Sequence, residues 1–296
     1  MAMLTAGGLE LQQTEAVRIA SEDLHISWRQ IGVDYVFENV AGSDVTLTLA
    51  FPLPPIEASQ VEGYDVIDRE TPRFIQFSTT VDGLPVAARE HVEIIGSDGN
   101  DVTSVFEALG LPLTPFAEVL APWNEMPPEI AEPLRALGLL VTDENGYDQR
   151  QWTTHVTYLW ETTFPAGRLI SVHHEYQPVS GAYFPPFYEG DWSEDYENYY
   201  RTRYCAGDGE WRTFDRMARE GFLAAYETGY VLTTGANWAG PIGRFKLTVD
   251  KSASDNLVSL CWADGLTKVA PTLFTFEADN YTPHQDVDMI VVSRGE

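Results

Sequence analysis

The sequence predicts a mainly β protein of the β-rich α+β class. The expected architecture is two antiparallel β-sandwich-like units with a helical insertion and one further helix. Apolar and polar residues alternate along much of the chain, which is typical of half-buried strands. Glycine-containing turn pairs separate these runs at hairpin spacing. A chain of 296 residues with 44% hydrophobic residues is also long enough to bury a sizeable core.

Residues 1–100 are predicted to form the N-terminal β-sandwich-like unit. The runs 31–40 and 45–53 alternate well, and residues 42–43 separate them as a short hairpin. The Asp-Gly pair at 82–83 predicts another tight turn. Antiparallel strands of this kind most naturally close as a sandwich.

Residues 101–150 are predicted as a helical insertion. Asp101 is suited to cap a helix that ends at Gly110. Pro128 is suited to begin a second helix that ends at Gly138.

Residues 151–296 are predicted to form a C-terminal β-rich unit with one helix. The helix is expected over 210–225, where Trp211 and Phe214 begin an apolar face. Residues 178–204 are predicted as an aromatic and acidic loop. Strands are predicted over residues 151–164, 168–176, 230–234, 244–249, 257–262, 272–278 and 287–292.

The charge of the chain excludes two classes of partner. Eighteen basic and 45 acidic residues give a net charge of −27, which opposes binding to nucleic acid or anionic lipid. No apolar run approaches the roughly 20 residues of a membrane helix, so no integral membrane segment is expected. The first residues show no signal peptide, so an exported form would have lost its leader.

The two cysteines, Cys205 and Cys261, lack the spacing of a zinc site. In an oxidising compartment they could form a disulfide, which the polar, loop-like surroundings of Cys205 favour. Two buried free thiols are the alternative.

The sequence contains no recognised catalytic motif. The nucleophile elbow, the zinc-protease helix, the phosphate-binding loop and the dinucleotide fingerprint are all absent. A carboxylate-pair hydrolase stays open, because its two acids need only be close in space and the chain has 45. A purely structural envelope protein is a third possibility.

Residues 183–200 contain many aromatic rings and five acids without a basic residue. Tyr183, Trp192, Tyr196 and Tyr199 could form a stacking platform for a sugar or a peptide. The alternative is a solvated acidic loop whose aromatic residues pack on the sandwich edge.

The same loop could bind calcium. If a helical turn forms after Gly190, then Asp191, Glu194 and Asp195 lie on one face of it. Carboxylate oxygens are the ligands that calcium prefers. No cofactor is expected otherwise.

A second unusual stretch, residues 233–243, places Asn237 and Trp238 among glycines and a proline. This composition predicts a shaped loop between strands, which could be a binding site, a hinge or a purely structural connection.

Several long segments resemble the bacterial exported family catalogued as domain of unknown function 4424. They are residues 6–11, 21–27, 33–54, 172–181, 230–251 and 258–262. The resemblance spans nearly the whole chain. It implies a cleaved signal peptide, a periplasmic or extracellular location and a disulfide between Cys205 and Cys261. It places no catalytic residue on the chain.

These observations together predict a periplasmic or exported protein that acts as a noncatalytic binding or scaffolding module. The expected partner is a protein or a glycan, bound through residues 183–200 and 235–243. The alternative is a hydrolase with a carboxylate-pair or calcium-assisted site around Asp191 and Glu194.

Overall fold

A computed structural model describes residues 2–5, 8–61, 64–66, 74–120, 126–183, 194–221 and 223–294. The protein is mainly β with several antiparallel sheets, as predicted. The first ten strands are β1 Ala2–Thr5, β2 Gly8–Leu11, β3 Val17–Ile26, β4 Ile31–Asn39, β5 Val45–Pro52, β6 Ile56–Glu57, β7 Tyr64–Asp65, β8 Ser78–Val81, β9 Leu84–Pro85 and β10 Arg89–Gly96. The later strands are β11 Leu140–Thr142, β12 Asp148–Arg150, β13 Trp152–Phe164, β14 Leu169–Tyr176, β15 Ser180–Tyr183, β16 Leu223–Tyr230, β17 Ile242–Asp250, β18 Leu257–Leu260, β19 Thr267–Lys268, β20 Leu273–Tyr281 and β21 Val287–Arg294. The α-helices are α1 Thr103–Ala108, α2 Pro128–Ala136, α3 Glu194–Arg203 and α4 Asp208–Glu220.

The chain divides into two compact units, and each unit combines separated segments. The first unit contains residues 1–12, 46–76 and 87–162, and the second contains residues 13–45, 77–86 and 163–296. The sequence predicts consecutive parts with boundaries near residues 100 and 150, whereas the compact units interleave along the chain.

The first unit is a sheet with helices packed on it. Strands β10, β13 and β5 lie in that order, and β6 also pairs with β13. Phe106 of α1 and Leu134 of α2 are fully buried in one core with Ile94 and Trp152 of the sheet. Residues 101–150, the predicted helical insertion, therefore supply part of the core of this unit.

The second unit is built on an eight-stranded sheet in the order β19-β20-β17-β3-β4-β14-β8-β9. Neighbouring strands of this sheet pair antiparallel, except that β3 and β17 pair in parallel. The sequence predicts antiparallel pairing throughout. A bulge in β3 between Ile19 and Ser21 shifts the alternation, so that Glu22 turns toward the interior. Beside this bulge Gly243 approaches Ala20 so closely that a Cβ would lie 2.5 Å from the Ala20 carbonyl oxygen. Only glycine fits there.

A second sheet of this unit contains the strands β18-β21-β16-β15 in that order. It faces the large sheet through the Tyr35 and Tyr230 hydroxyls, which lie 2.6 Å apart. Its other face is covered by α3 and α4, with Phe214 and Met217 of α4 buried against Ile290. The second unit is thus a sandwich with a layer of helices outside it.

Several local expectations were wrong. The hairpin predicted at residues 42–43 does not form, because β4 belongs to the eight-stranded sheet and β5 to the sheet of the first unit. The strand predicted over residues 230–234 does not form either, since β16 ends at Tyr230 and Thr233–Asn237 form a 3-10 helix.

The helix predicted over 210–225 ends at Glu220, because Leu223 begins β16 and pairs with Arg294 of β21. The first residues of β16, 223–225, are small or apolar and buried. Such a run fits the end of a helix as well as a buried strand. Within the loop predicted over residues 178–204, Ser180–Tyr183 form β15 and Glu194–Arg203 form α3. Among the described residues no helix has the length and apolar character needed to cross a membrane.

Candidate functional site

Most of the predicted aromatic and acidic loop lies outside the described residues. Asp191 and Trp192 fall in the undescribed stretch 184–193. The backbones of Tyr183, Glu194, Asp195 and Tyr196 lie in β15 or α3, but their side chains are also outside the description. The stacking platform and the calcium site stay predictions. Within the described residues no group of three histidine, cysteine or acidic side chains can hold a metal ion.

Tyr199 is held by polar and aromatic neighbours within the second unit. Its hydroxyl donates to Glu227 Oε2 at 3.3 Å and accepts from Arg203 Nη1 at 2.8 Å. Burial raises the pKa of Tyr199, and burial also raises the pKa of Glu227. The ring packs edge-on against Tyr200 and Tyr204. These contacts anchor α3 to the sheet beneath it.

The loop with Asn237 and Trp238 packs against the large sheet. The Asn237 carbonyl accepts the Thr14 N–H at 2.9 Å. The Trp238 ring lies 4.6 Å from the Phe37 ring and 6.4 Å from the Phe164 ring, measured between centroids. These contacts support the structural interpretation of the loop.

Cys205 and Cys261 form a disulfide with an Sγ–Sγ distance of 1.99 Å. The pairing that the family resemblance implies is confirmed, and the alternative of two free thiols is wrong. The bond joins the end of α3 to the end of β18.

A cavity of about 910 Å³ opens at one end of the second unit. It is formed by the turn between β3 and β4, the loop after β17, the start of β16 and the end of β21. The lining combines aromatic rings with many polar groups, among them Gln30, Asp250, Asn256 and Ser293.

Three side chains form a stack at this cavity. The Trp28 and Tyr226 rings lie 3.8 Å apart between centroids and only 13° from parallel. The Arg29 guanidinium carbon lies 4.4 Å from the centroid of Trp28. Since Tyr226 already covers one face of Trp28, the guanidinium must cover the other. Stacking and cation–π contacts hold the three groups in one order.

The loop after β17 is fixed by a buried lysine. Lys251 Nζ donates to the carbonyl oxygens of Ser254 at 2.6 Å and Asn256 at 2.5 Å. The Asn256 amide returns a hydrogen bond to the Lys251 carbonyl at 2.8 Å. Burial lowers the pKa of Lys251. The polar lining on this side of the cavity is therefore rigidly placed.

The lining also carries charged side chains, some of which are paired. His25 Nε2 lies 3.9 Å from Asp250 Oδ2, and Arg294 is paired with Glu220. Asp255 also lines the cavity. The site can therefore offer both hydrogen-bond donors and acceptors to a ligand.

The sequence reasoning missed Trp28 and Arg29 as site residues. They lie in the sequence Ser27-Trp28-Arg29-Gln30, the turn between two alternating runs. A tryptophan in a tight hairpin turn has no strand face to bury it. A tryptophan in such a turn therefore indicates, from the sequence alone, an aromatic side chain that is available for binding at the surface.

The family described as Domain of unknown function (DUF4424) matches residues 1–290 of the chain. The chain belongs to the DUF4424 family. The family description carries no activity, and a comparison with curated proteins finds no match.

Solved structures similar to this DUF4424 chain are distant. A candidate nutrient-binding protein from Legionella pneumophila is 15% identical, with a TM-score of 0.46, 95% of this chain covered and 68% of that one. An M1 zinc metallopeptidase from Deinococcus radiodurans is 10% identical, with a TM-score of 0.28, 95% of this chain covered and 43% of that one. A CBM3a-L domain from a Clostridium thermocellum scaffoldin is 12% identical, with a TM-score of 0.19, 56% of this chain covered and 70% of that one. At these values none of them indicates a function for the chain.

Proposed function

We propose that this DUF4424 chain is an exported, noncatalytic binding module that holds a glycan in the cavity of its second unit. The observation that carries the proposal is the cavity itself. Its volume of about 910 Å³ falls within the usual range of ligand sites, about 300 to 1,000 Å³. Its rim is pre-formed, since Lys251 fixes one side and the Trp28 stack fixes another.

The chemistry of the lining favours a ligand with many hydroxyl groups. Gln30, Asp250, Asn256 and Ser293 provide donors and acceptors that an apolar ligand would leave unsatisfied. The edges of the stacked rings add apolar surface at low entropy cost. Because the site is concave, it suits an inserted sugar better than a flat protein surface.

The proposed location follows from the disulfide. Disulfides persist in oxidising compartments and are rare in the cytosol. The Cys205–Cys261 bond therefore supports a periplasmic or extracellular setting, as does the exported character expected from the family resemblance.

The test is a glycan array probed with the purified chain and three variants. Trp28→Ala removes the centre of the stack, whereas Ser293→Trp leaves the stack and fills the cavity with an indole. Tyr147→Ala removes an exposed aromatic side chain of the first unit and serves as the matched control. We expect the wild type and the control to bind the same glycans, and both cavity variants to lose at least about tenfold in affinity.

Circular dichroism of each variant separates loss of binding from loss of fold. The proposal is wrong if no glycan binds the wild type. It is also wrong if a glycan binds and folded Ser293→Trp retains the full affinity.

A further inference from the structure

The Arg29 guanidinium lies at the exposed rim of the cavity, with its central carbon 4.4 Å from the centroid of the Trp28 ring. Trp28 is itself stacked on Tyr226. A guanidinium held over an aromatic ring keeps N–H donors that can bind a ligand. The contact restrains the side chain, so less side-chain freedom is lost when a ligand binds.

Within the described residues, Arg29 makes no ion pair, unlike several other arginines of this acidic chain. Arg18 pairs with Glu38, and Arg244 pairs with Glu277 at 3.1 Å. Across the same cavity Arg294 is neutralised by Glu220. Arg29 is thus a cation with an available hydrogen-bonding edge in a chain of net charge −27.

We propose that the cavity selects glycans that carry a carboxylate, as uronic acid residues do, and that Arg29 binds this carboxylate. The inference rests on the proposed glycan-binding function and names the ligand class. Two parallel N–H···O bonds between a guanidinium and a carboxylate are stronger and more directional than bonds to a neutral hydroxyl.

The charges of the cavity favour a carboxylate over a phosphate. Asp250 and Asp255 line the same space as Arg29. A phosphate monoester carries a charge of about −1.5 to −2 at neutral pH, whereas a carboxylate carries one negative charge. Repulsion from the two aspartates and attraction to Arg29 both grow with the charge of the ligand. Since two negative groups face one unpaired positive group, the additional charge of a phosphate adds more repulsion than attraction.

The experiment measures affinities for matched sugars by titration calorimetry at low salt. The probes are trisaccharides of galacturonic, glucuronic, mannuronic and guluronic acid, the methyl ester of each, the neutral parent sugars and their phosphates. Esterification removes the charge and retains the ring. We expect at least one acid to bind at least tenfold more tightly than its own ester, with the difference shrinking at high salt because exposed charges are screened.

Variants test whether Arg29 causes this preference. Arg29→Gln should bind acid and ester equally. Arg29→Lys should keep only part of the preference for the acid, because lysine retains the positive charge but lacks the paired N–H donors of a guanidinium. Arg216→Gln, on the exposed side of α4, changes the net charge equally and should keep the full preference.

Different results overturn the two proposals separately. Binding of neutral sugars or esters as tight as binding of acids would overturn the carboxylate inference and leave the glycan proposal standing. Tighter binding of the phosphates, or a preference that survives in Arg29→Gln, would also overturn the inference. Binding of none of these sugars, combined with an array that shows no glycan at all, would overturn both.

Discussion

Glu22 is a carboxyl group enclosed in the sandwich of the second unit. Its side chain is 2% exposed, and the Tyr230 hydroxyl lies 3.5 Å from its Oε1. Burial raises the pKa of Glu22 to about 8, against the opposing effect of hydrogen bonds from Tyr35 and Tyr230. Glu22 is therefore mainly protonated at neutral pH, and the cluster joins the two sheets as a neutral hydrogen-bonded network.

Glu22→Gln should change the pH dependence of stability. A carboxyl whose pKa is raised by folding stabilises the protein fully below its unfolded pKa, near 4.5. That contribution is lost as the pH rises toward the folded value near 8. The unfolding free energy of Glu22→Gln minus that of wild type should rise by about 1.4 kcal/mol per pH unit between pH 5 and 8.

Urea unfolding at several pH values provides this difference. Glu175→Gln, on the exposed face of the same sheet, is the control. A difference between Glu22→Gln and wild type that stays flat from pH 5 to 8 would contradict the raised pKa.

Few of the residues in the Glu22 cluster and at the cavity were predicted from the sequence. Glu22 was not identified from the sequence, because the bulge between Ile19 and Ser21 that places it on the buried face depends on the neighbouring β4 and β17. Trp28 and Tyr226 are 198 positions apart, and only the facing of two sheets brings them together. Contacts between residues so far apart in the sequence leave no local pattern from which they could be predicted.

The disulfide connects two elements of the second unit. It holds the end of α3 against β18, and Ser259 of β18 adds a hydrogen bond from its hydroxyl to the Tyr204 carbonyl at 2.8 Å. The bond therefore fixes the end of α3 on this sheet.

The double substitution Cys205→Ser, Cys261→Ser should lower the unfolding free energy by about 4 kcal/mol, because the unfolded chain regains the entropy of a loop spanning 56 positions. Reduced wild type, unfolded in parallel, should match the double variant. A loss below about 1 kcal/mol in both would show that the bond contributes little to the folded unit.

Of the two hairpins predicted above, the turn at residues 82–83 is confirmed, and the one at residues 42–43 is wrong because β4 and β5 lie in different sheets. The Asp82-Gly83 turn adopts positive φ at both residues and joins β8 to β9. An Asp-Gly pair favours such a turn locally, but which sheet the next strand joins depends on long-range pairing. Likewise, the end of α4 depends on the pairing of β16 with β21, which no local pattern reveals.

At the scale of the whole molecule, the chain alternates between its two units. The large sheet takes β3 and β4 from the first 45 residues and β14, β17 and β20 from the last half. The sequence predicts the mainly β class, because class depends on summed local patterns. It does not predict the interleaving, because that depends on long-range pairing.

The fragment 151–296, cut at a boundary predicted from sequence, should fail to fold alone. Without β3 and β4, β17 loses its parallel partner and β14 its antiparallel one. The amide proton spectrum of the fragment should therefore show the narrow dispersion of an unfolded chain, whereas the full chain shows wide dispersion. A fragment with native-like dispersion would contradict the division into interleaved units.

The central claim is that the cavity beside Trp28 binds a glycan. The most direct measurement follows the indole N–H resonance of Trp28 in a ¹H–¹⁵N spectrum, assigned with Trp28→Phe, during titration with the tightest-binding glycan of the array. Trp152 in the first unit and Trp262 in the second are buried and serve as internal references. We expect the Trp28 resonance to shift in a saturable manner while those two stay in place. Saturable binding that leaves the Trp28 resonance unchanged would contradict the claim.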